Sequence, residues 1–137
     1  MEISTSIQIQ ASPVKVWEVF SEFSRYSEWN PFLKSIEGNP RPGKRIKINA
    51  GGMVIRPVVL AWIPNRKLEW VGKLLVKGLF DGQHSFEFAK NADGTTTFDH
   101  REKFSGILVP LFRKKLSGEV REGFENMNRA LKERVER

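Results

Sequence analysis

His84, His100 and Glu102 are the residues of this 137-residue chain whose types and spacing could do chemistry, and they lie on the two arms of one β-hairpin. Asn91-Ala92-Asp93-Gly94 reads as a type I turn closed by a glycine in the left-handed region, so Asn91 pairs with Thr95 across a three-residue loop with a bulge. Counting outward, Phe88 faces Phe98, Phe86 faces His100, His84 faces Glu102 and Gly82 faces Phe104. All these side chains share one face, because strand side chains alternate. A His–carboxylate pair can serve as general acid or base in a cyclisation or dehydration, and it can equally orient a ligand carbonyl or hydroxyl. It can also be a hydrogen-bonded polar patch in a cavity wall. A dry core avoids such a mixture, since each unpaired buried polar group costs on the order of 1–3 kcal/mol. Apolar walls with a few convergent polar groups describe a small-molecule pocket.

Other chemistries find little support. Two His and a carboxylate make up a facial metal triad, but here His100 and Glu102 stand at i,i+2 on one strand with His84 opposite Glu102, and no cysteine or further histidine helps. No metal and no cofactor are expected. Gly51-Gly52 leads into a strand rather than a helix start with Lys and Ser or Thr, so it is no phosphate loop. No serine sits in a nucleophile elbow. With no cysteine there is no disulfide framework and no thiolate nucleophile. Lys and Arg number 23 against 16 Asp and Glu, a net charge of +7. That charge is dispersed over Arg41, Lys44, Arg45 and Lys47, then Arg66-Lys67, then Arg113-Lys114-Lys115, which reads as a solvated surface rather than a nucleic-acid site. No apolar run approaches the roughly 20 residues of a membrane span, and the polar, acidic start Met1-Glu2-Ile3-Ser4 does not read as a signal peptide. A cytoplasmic protein is expected.

The elements that must carry the hairpin follow from periodicity. Ile3, Thr5, Ile7 and Ile9 alternate with polar residues, the signature of a half-buried first strand. Ser12-Pro13 caps a helix with Val16, Trp17 and Phe20 as its apolar stripe, and a second short helix is read from Glu22 to Ser27. Turn signals then separate antiparallel strands at Arg45 to Asn49, Val54 to Ile63, Leu68 to Leu75 and His84 to Lys90, joined in sequence order as a meander. Pro57 marks an edge or a bulge. A tight turn at Asn65-Arg66 would set Trp70 opposite Ala61 and Trp62 opposite Glu69, with the two rings on opposite faces. After Pro110 the period becomes helical: Phe112, Leu116, Val120, Phe124, Met127, Leu131 and Val135 line one face of a long helix. Gly123 in that helix implies close backbone approach or room for a ligand, whereas Gly118 reads equally well as a surface glycine. The order predicts an α+β fold, β-α-α-β-β-β-β-β-β-α, in which a curved antiparallel sheet grips the C-terminal helix across a single domain of residues 1–137.

The chain resembles the START-like, or SRPBCC, superfamily of helix-grip proteins, in its polyketide cyclase/dehydrase and lipid-transport-like branch. The resemblance is carried by Ala11-Ser12-Pro13 before Val16-Trp17, Trp29-Asn30-Pro31-Phe32, Leu68-Glu69-Trp70 and Gly82 with His84 and Phe86. Thr96 with Phe98, His100, Glu102 and Phe104, and Gly106 before the last helix, complete it. It covers nearly the whole length and is more specific for fold than for function.

The resemblance implies a cavity between sheet and helix, with Trp70 as the cavity-side ring and Leu68 beside it. Phe86, Phe88, Phe98 and Phe104 then supply apolar contact from the sheet, with Leu116, Val120, Phe124 and Met127 from the helix. His84, His100 and Glu102 fix a polar group. The expected function is binding or transport of a small hydrophobic or amphipathic ligand, such as a lipid, polyketide or terpenoid-like molecule. The alternatives are a cyclase or dehydratase using the polar trio, and an interaction module like the chaperone ATPase activators. The segment from Ser105-Gly106 to Pro110 reads as a lid or as an anchor for the helix, and with Arg113-Lys114-Lys115 it suggests transient contact with an anionic membrane.

Overall fold

A computed structural model describes residues 1–73, 78 and 80–137. The chain opens with strand β1 (Glu2–Ile9) and helix α1 (Pro13–Ser21), whose N-terminus is capped by Ser12 Oγ accepting from Lys15 N at 3.4 Å. A 3₁₀ turn (Phe23–Arg25) leads into the short helix α2 (Tyr26–Trp29), so the second helix runs to Trp29 rather than stopping at Ser27. Asn30 N donates to Tyr26 O at 2.8 Å to close it, and the fully buried Tyr26 anchors it through a hydroxyl that donates to Phe20 O. Next come β2 (Leu33–Glu37), β3 (Lys47–Ala50), β4 (Met53–Ile55), β5 (Val58–Ile63), β6 (Lys67–Lys73), β7 (Asp81–Lys90) and β8 (Thr96–Ser105). The strand expected to reach Leu75 is seen as far as Lys73; Leu74 and Leu75 lie outside the described residues.

The expected single sheet divides at Pro57. Five strands run β1-β8-β7-β6-β5 and three run β2-β3-β4, all antiparallel. Proline has no N–H for a ladder, so the predicted strand from Val54 to Ile63 breaks there and its halves join different sheets. The seam is stitched by Ile46 N donating to Pro57 O at 3.0 Å and Val59 N donating to Lys44 O at 2.9 Å.

One register differs from expectation. Pro64, Asn65 and Arg66 form a three-residue turn with Asn65 at φ 68°, which pairs Ile63 with Lys67 and Trp62 with Leu68. A bulge at Leu60 then sets Val59 opposite Trp70. Trp62 therefore shares the inner face with Trp70, and its ring packs 4.9 Å from that of Trp17. The extra turn residue moves the pairing by one position, and one position inverts a strand's faces.

The C-terminal helix is α3 (Val109–Lys115), a π-helical stretch (Leu116–Val120) and α4 (Arg121–Glu136) in continuous succession. The sequence foreshadows the π stretch: Phe112, Leu116, Val120 and Phe124 repeat every four residues, wider than the 3.6 of an α-helix, and a π turn keeps such a series in phase. A side chain at Gly123 would press on the Phe32 ring, with its Cβ 3.1 Å away, so this glycine permits close approach. Gly118 faces open space.

Candidate functional site

Antiparallel pairing lays the site out in rungs. One rung runs Thr5, His100, Phe86, Leu68; the next runs Ile3, Glu102, His84, Trp70; a third brings Phe104, Gly82 and Gly72 side by side. The hairpin pairs are those read from the turn. Two neighbouring glycines put no side chains on the concave face of the third rung, and there the cavity opens.

The polar residues of the first two rungs form one row, in which hydrogen bonds link His84, His100, Asn128 and Thr5 and a close side-chain contact joins Glu102 to His84. Glu102 Oε2 stands 3.1 Å from His84 Nδ1, and His84 Nε2 stands 2.7 Å from His100 Nε2. His100 Nδ1 meets Asn128 Oδ1 at 2.9 Å, Asn128 Nδ2 donates to Thr5 Oγ1 at 2.9 Å, and Thr5 Oγ1 donates to the His100 carbonyl at 2.8 Å. His84, His100, Thr5 and Asn128 are all buried. A carbonyl can only accept, which fixes the direction. Thr5 accepts from the Asn128 amide, Asn128 Oδ1 accepts from His100 Nδ1–H, and His100 Nε2 is left to accept from His84 Nε2–H. Burial holds the His100 imidazole well below its ordinary pKa, with His84 beside it acting in the same direction and the Asn128 bond opposing, so this ring is neutral as the chain requires. The His100 ring is stacked on Phe124, 4.2 Å between centroids.

This polar row divides the interior. On one side Trp17 and Phe20 of α1 pack against Phe86, Phe88 and Phe98, in a filled core completed by Leu68, Met127, Leu131 and Val135. On the other, a cavity of about 390 Å³ is lined by Trp70, His84, Glu102, Phe104, Leu116 and Val120, joined by Phe32, Phe80, Leu108 and Phe112. Gly72 and Gly82 form part of its wall. The residues of the expected binding surface fall into two groups about this cavity. Leu68, Phe86, Phe88, Phe98, His100, Phe124 and Met127 lie outside the cavity lining, because α1 and the start of α4 fill the space over their rungs. Of the polar trio, only His84 and Glu102 reach the cavity. Its mouth is marked by the exposed lining residues Met53, Lys73, Phe112 and Lys115. The Ser105 to Pro110 segment supplies Leu108 to the wall and starts the helix at Val109.

Among the described residues no group of His, Cys, Asp and Glu is placed to hold a metal ion, and no helix is long and apolar enough to cross a membrane. The sequence model of the family described as polyketide cyclase / dehydrase and lipid transport matches residues 1–136. The chain belongs to this family.

Solved structures similar to this polyketide cyclase/dehydrase and lipid transport family member share its helix-grip fold. A hypothetical protein from Helicobacter pylori superposes with a TM-score of 0.82 at 14% identity, over 98% of this chain and 88% of that one. A START superfamily protein from Mycobacterium smegmatis gives 0.71 at 19% identity, over 98% and 97%. A protein of the dynemicin biosynthetic locus gives 0.77 at 16% identity, over 98% of this chain and 47% of that one. At such identities the likeness is one of fold. No curated protein sequence matches the chain.

The hairpin register puts His84, Glu102 and Phe104 on the cavity face and the family resemblance adds Trp70, but neither assigns Thr5, Asn128 or Gly72 a place in the site. Thr5 interrupts an isoleucine row on β1, and Asn128 lies between Phe124 and Leu131 on the apolar stripe of α4. A polar residue inside an apolar period was the available signal for both.

Proposed function

We propose that this protein binds a small hydrophobic molecule in the cavity between the sheet and the C-terminal helix. The observation that carries this reading is an apolar space of about 390 Å³ above the Gly72–Gly82 rung, with one polar pair, His84 and Glu102, on its inner wall. That combination is characteristic of ligand sites. Binding is favoured over catalysis because both nitrogens of His84 are engaged, one by Glu102 and one by His100, and the chain beyond them ends on a main-chain carbonyl with no outlet for a proton.

The test is a titration with N-phenyl-1-naphthylamine, whose emission rises in apolar surroundings. Saturable one-to-one binding is expected, with a change in Trp70 emission. Leu116→Trp, which fills the space under the π turn, is expected to weaken binding at least about tenfold, the effect of displacing even part of a ring from apolar contact. Absence of binding, or equal binding by Leu116→Trp, would overturn the reading.

A further observation bears on ligand exchange. Around the mouth Ile107 is 74% exposed, Leu111 77%, Met53 53% and Phe112 42%, with Arg113, Lys114 and Lys115 exposed beside them. We propose that this apolar crown with its basic flank rests on an anionic membrane while ligand passes. Apolar insertion and attraction of about 1 kcal/mol per basic residue near the surface act together there. The protein is expected to sediment with phosphatidylglycerol vesicles and not with phosphatidylcholine vesicles. The pair Leu111→Asp and Phe112→Asp, with unchanged circular dichroism, is expected to lower the partition coefficient at least about tenfold. Equal sedimentation by this variant would remove the crown from the account.

A further inference from the structure

The direction of hydrogen bonding in the buried chain says what the cavity asks of its ligand. His84 donates through Nε2 to His100 and meets Glu102 through Nδ1, so neither ring nitrogen is available to a guest. Glu102 gives only Oε2 to that contact. Its Oε1 lies over Gly82, where an added Cβ would collide with it, and both residues belong to the cavity wall. Among the described residues Oε1 has no hydrogen-bond partner, and it is not one of the sealed, unpartnered polar atoms of the interior. Trp70, whose indole carries an N–H donor, belongs to the same wall.

We infer that the cavity selects a neutral, largely apolar molecule carrying a hydroxyl at the end that enters first, held by donation to Glu102 Oε1. This rests on the cavity being the binding site. A hydroxyl donates to Oε1 and retains a lone pair for a donor such as the Trp70 N–H. A carboxylate cannot donate to Glu102 Oε1, and its own charge would be stripped of water in an apolar enclosure beside another carboxyl oxygen. A hydrocarbon fits the walls and leaves the Glu102 oxygen without the donor it would otherwise accept from. Lys73 and Lys115 stand at the mouth with exposed side chains, so an acidic amphiphile meets its counter-charge outside rather than at the inner wall. The carboxylate is held in place by two features of the chain: His84 grips Oε2, and the missing side chain at position 82 leaves room for Oε1.

The experiment is calorimetric titration at pH 7 with three molecules of one shape, 2-naphthol, 2-methylnaphthalene and 2-naphthoate. 2-Naphthol is expected to bind about tenfold more tightly than 2-methylnaphthalene, the worth of one hydrogen bond to a buried acceptor, and 2-naphthoate no more tightly than the hydrocarbon. Glu102→Leu is expected to bring the naphthol-to-methylnaphthalene ratio to about one, while the hydrocarbon still binds. Gly82→Ala, which displaces the carboxylate without removing it, is expected to lower the same ratio, and it serves as the test should Glu102→Leu fail to fold. Equal affinity for naphthol and hydrocarbon in the native protein, tighter binding of naphthoate than of naphthol, or an unchanged ratio in both variants would overturn the inference and leave the cavity as a binding site. Failure of all three molecules to bind would overturn the cavity reading itself, and this inference with it.

Discussion

Phe20→Ala is expected to lower the free energy of unfolding by about 3–5 kcal/mol, the range for deleting a fully buried phenylalanine whose surroundings relax only in part. Phe20 is completely buried and its ring stands 5.0 Å from Phe86, 5.0 Å from Phe88, 5.7 Å from Trp17 and 5.9 Å from Phe98. These partners come from α1 and from both arms of the central hairpin, so the neighbours cannot all close on the void at once. The loss is a large part of the total stability of a small domain. Urea unfolding measures it, and a loss below about 1.5 kcal/mol would show that this end of the sheet collapses freely around a missing ring. The variant also tests the division of the interior. The vacated space lies beyond His100 from the ligand cavity, so binding of N-phenyl-1-naphthylamine to the folded variant is expected to keep its native affinity.

The same ring explains why the fold was more legible in the sequence than the site. Strand alternation, the Ser12-Pro13 helix start and the Asn91 to Gly94 turn are local signals, and each appears in the structure where it was read. The hairpin register carried His84 and Glu102 to their contact, because a turn of known type counts residues outward without reference to the rest of the chain. Which part of the concave face is filled and which is empty depends instead on α1, whose position above the sheet no period reveals. Trp17 and Phe20 were legible as an apolar stripe, but not as the plug over Phe86, Phe88 and Phe98. The void likewise arises from Gly72 facing Gly82, two residues on strands whose mutual register follows from a connection with no turn signature. Trp62 shows the sensitivity of such reasoning: one more residue in the turn at Asn65 carried its ring to the inner face.

The polar row that separates core from cavity makes stability depend on acidity. His100 is buried between Phe86 and Phe124 with its pKa well below the ordinary imidazole value, chiefly through burial and then through His84, while the Asn128 amide favours the charged ring weakly by comparison. In the unfolded chain the same ring takes up a proton near pH 6.5. Below that value the unfolded state binds a proton that the folded state refuses, and this contribution to stability, full above pH 6.5, is lost progressively until the pH falls to the folded-state pKa. The limiting slope is about 1.4 kcal/mol per pH unit, so stability is expected to fall as the pH is lowered from 6.5 toward 5. The carboxylates with depressed pKa values, Glu28, Asp93 and Glu136, lose their contributions only in the more acid range that begins near their ordinary values of 4.5, 3.8 and 4.5, so the two windows separate. Urea midpoints at pH 7.5, 6.5, 5.5 and 5 measure the slope, and the ring proton signals of His100 in the folded protein are expected to stay unshifted over the same range. A flat stability profile together with a titrating His100 signal would show that the imidazole accepts a second proton in place. That outcome would require Asn128, Thr5 and His84 to rearrange, because the ring's only outward nitrogen already faces a donor 2.7 Å away.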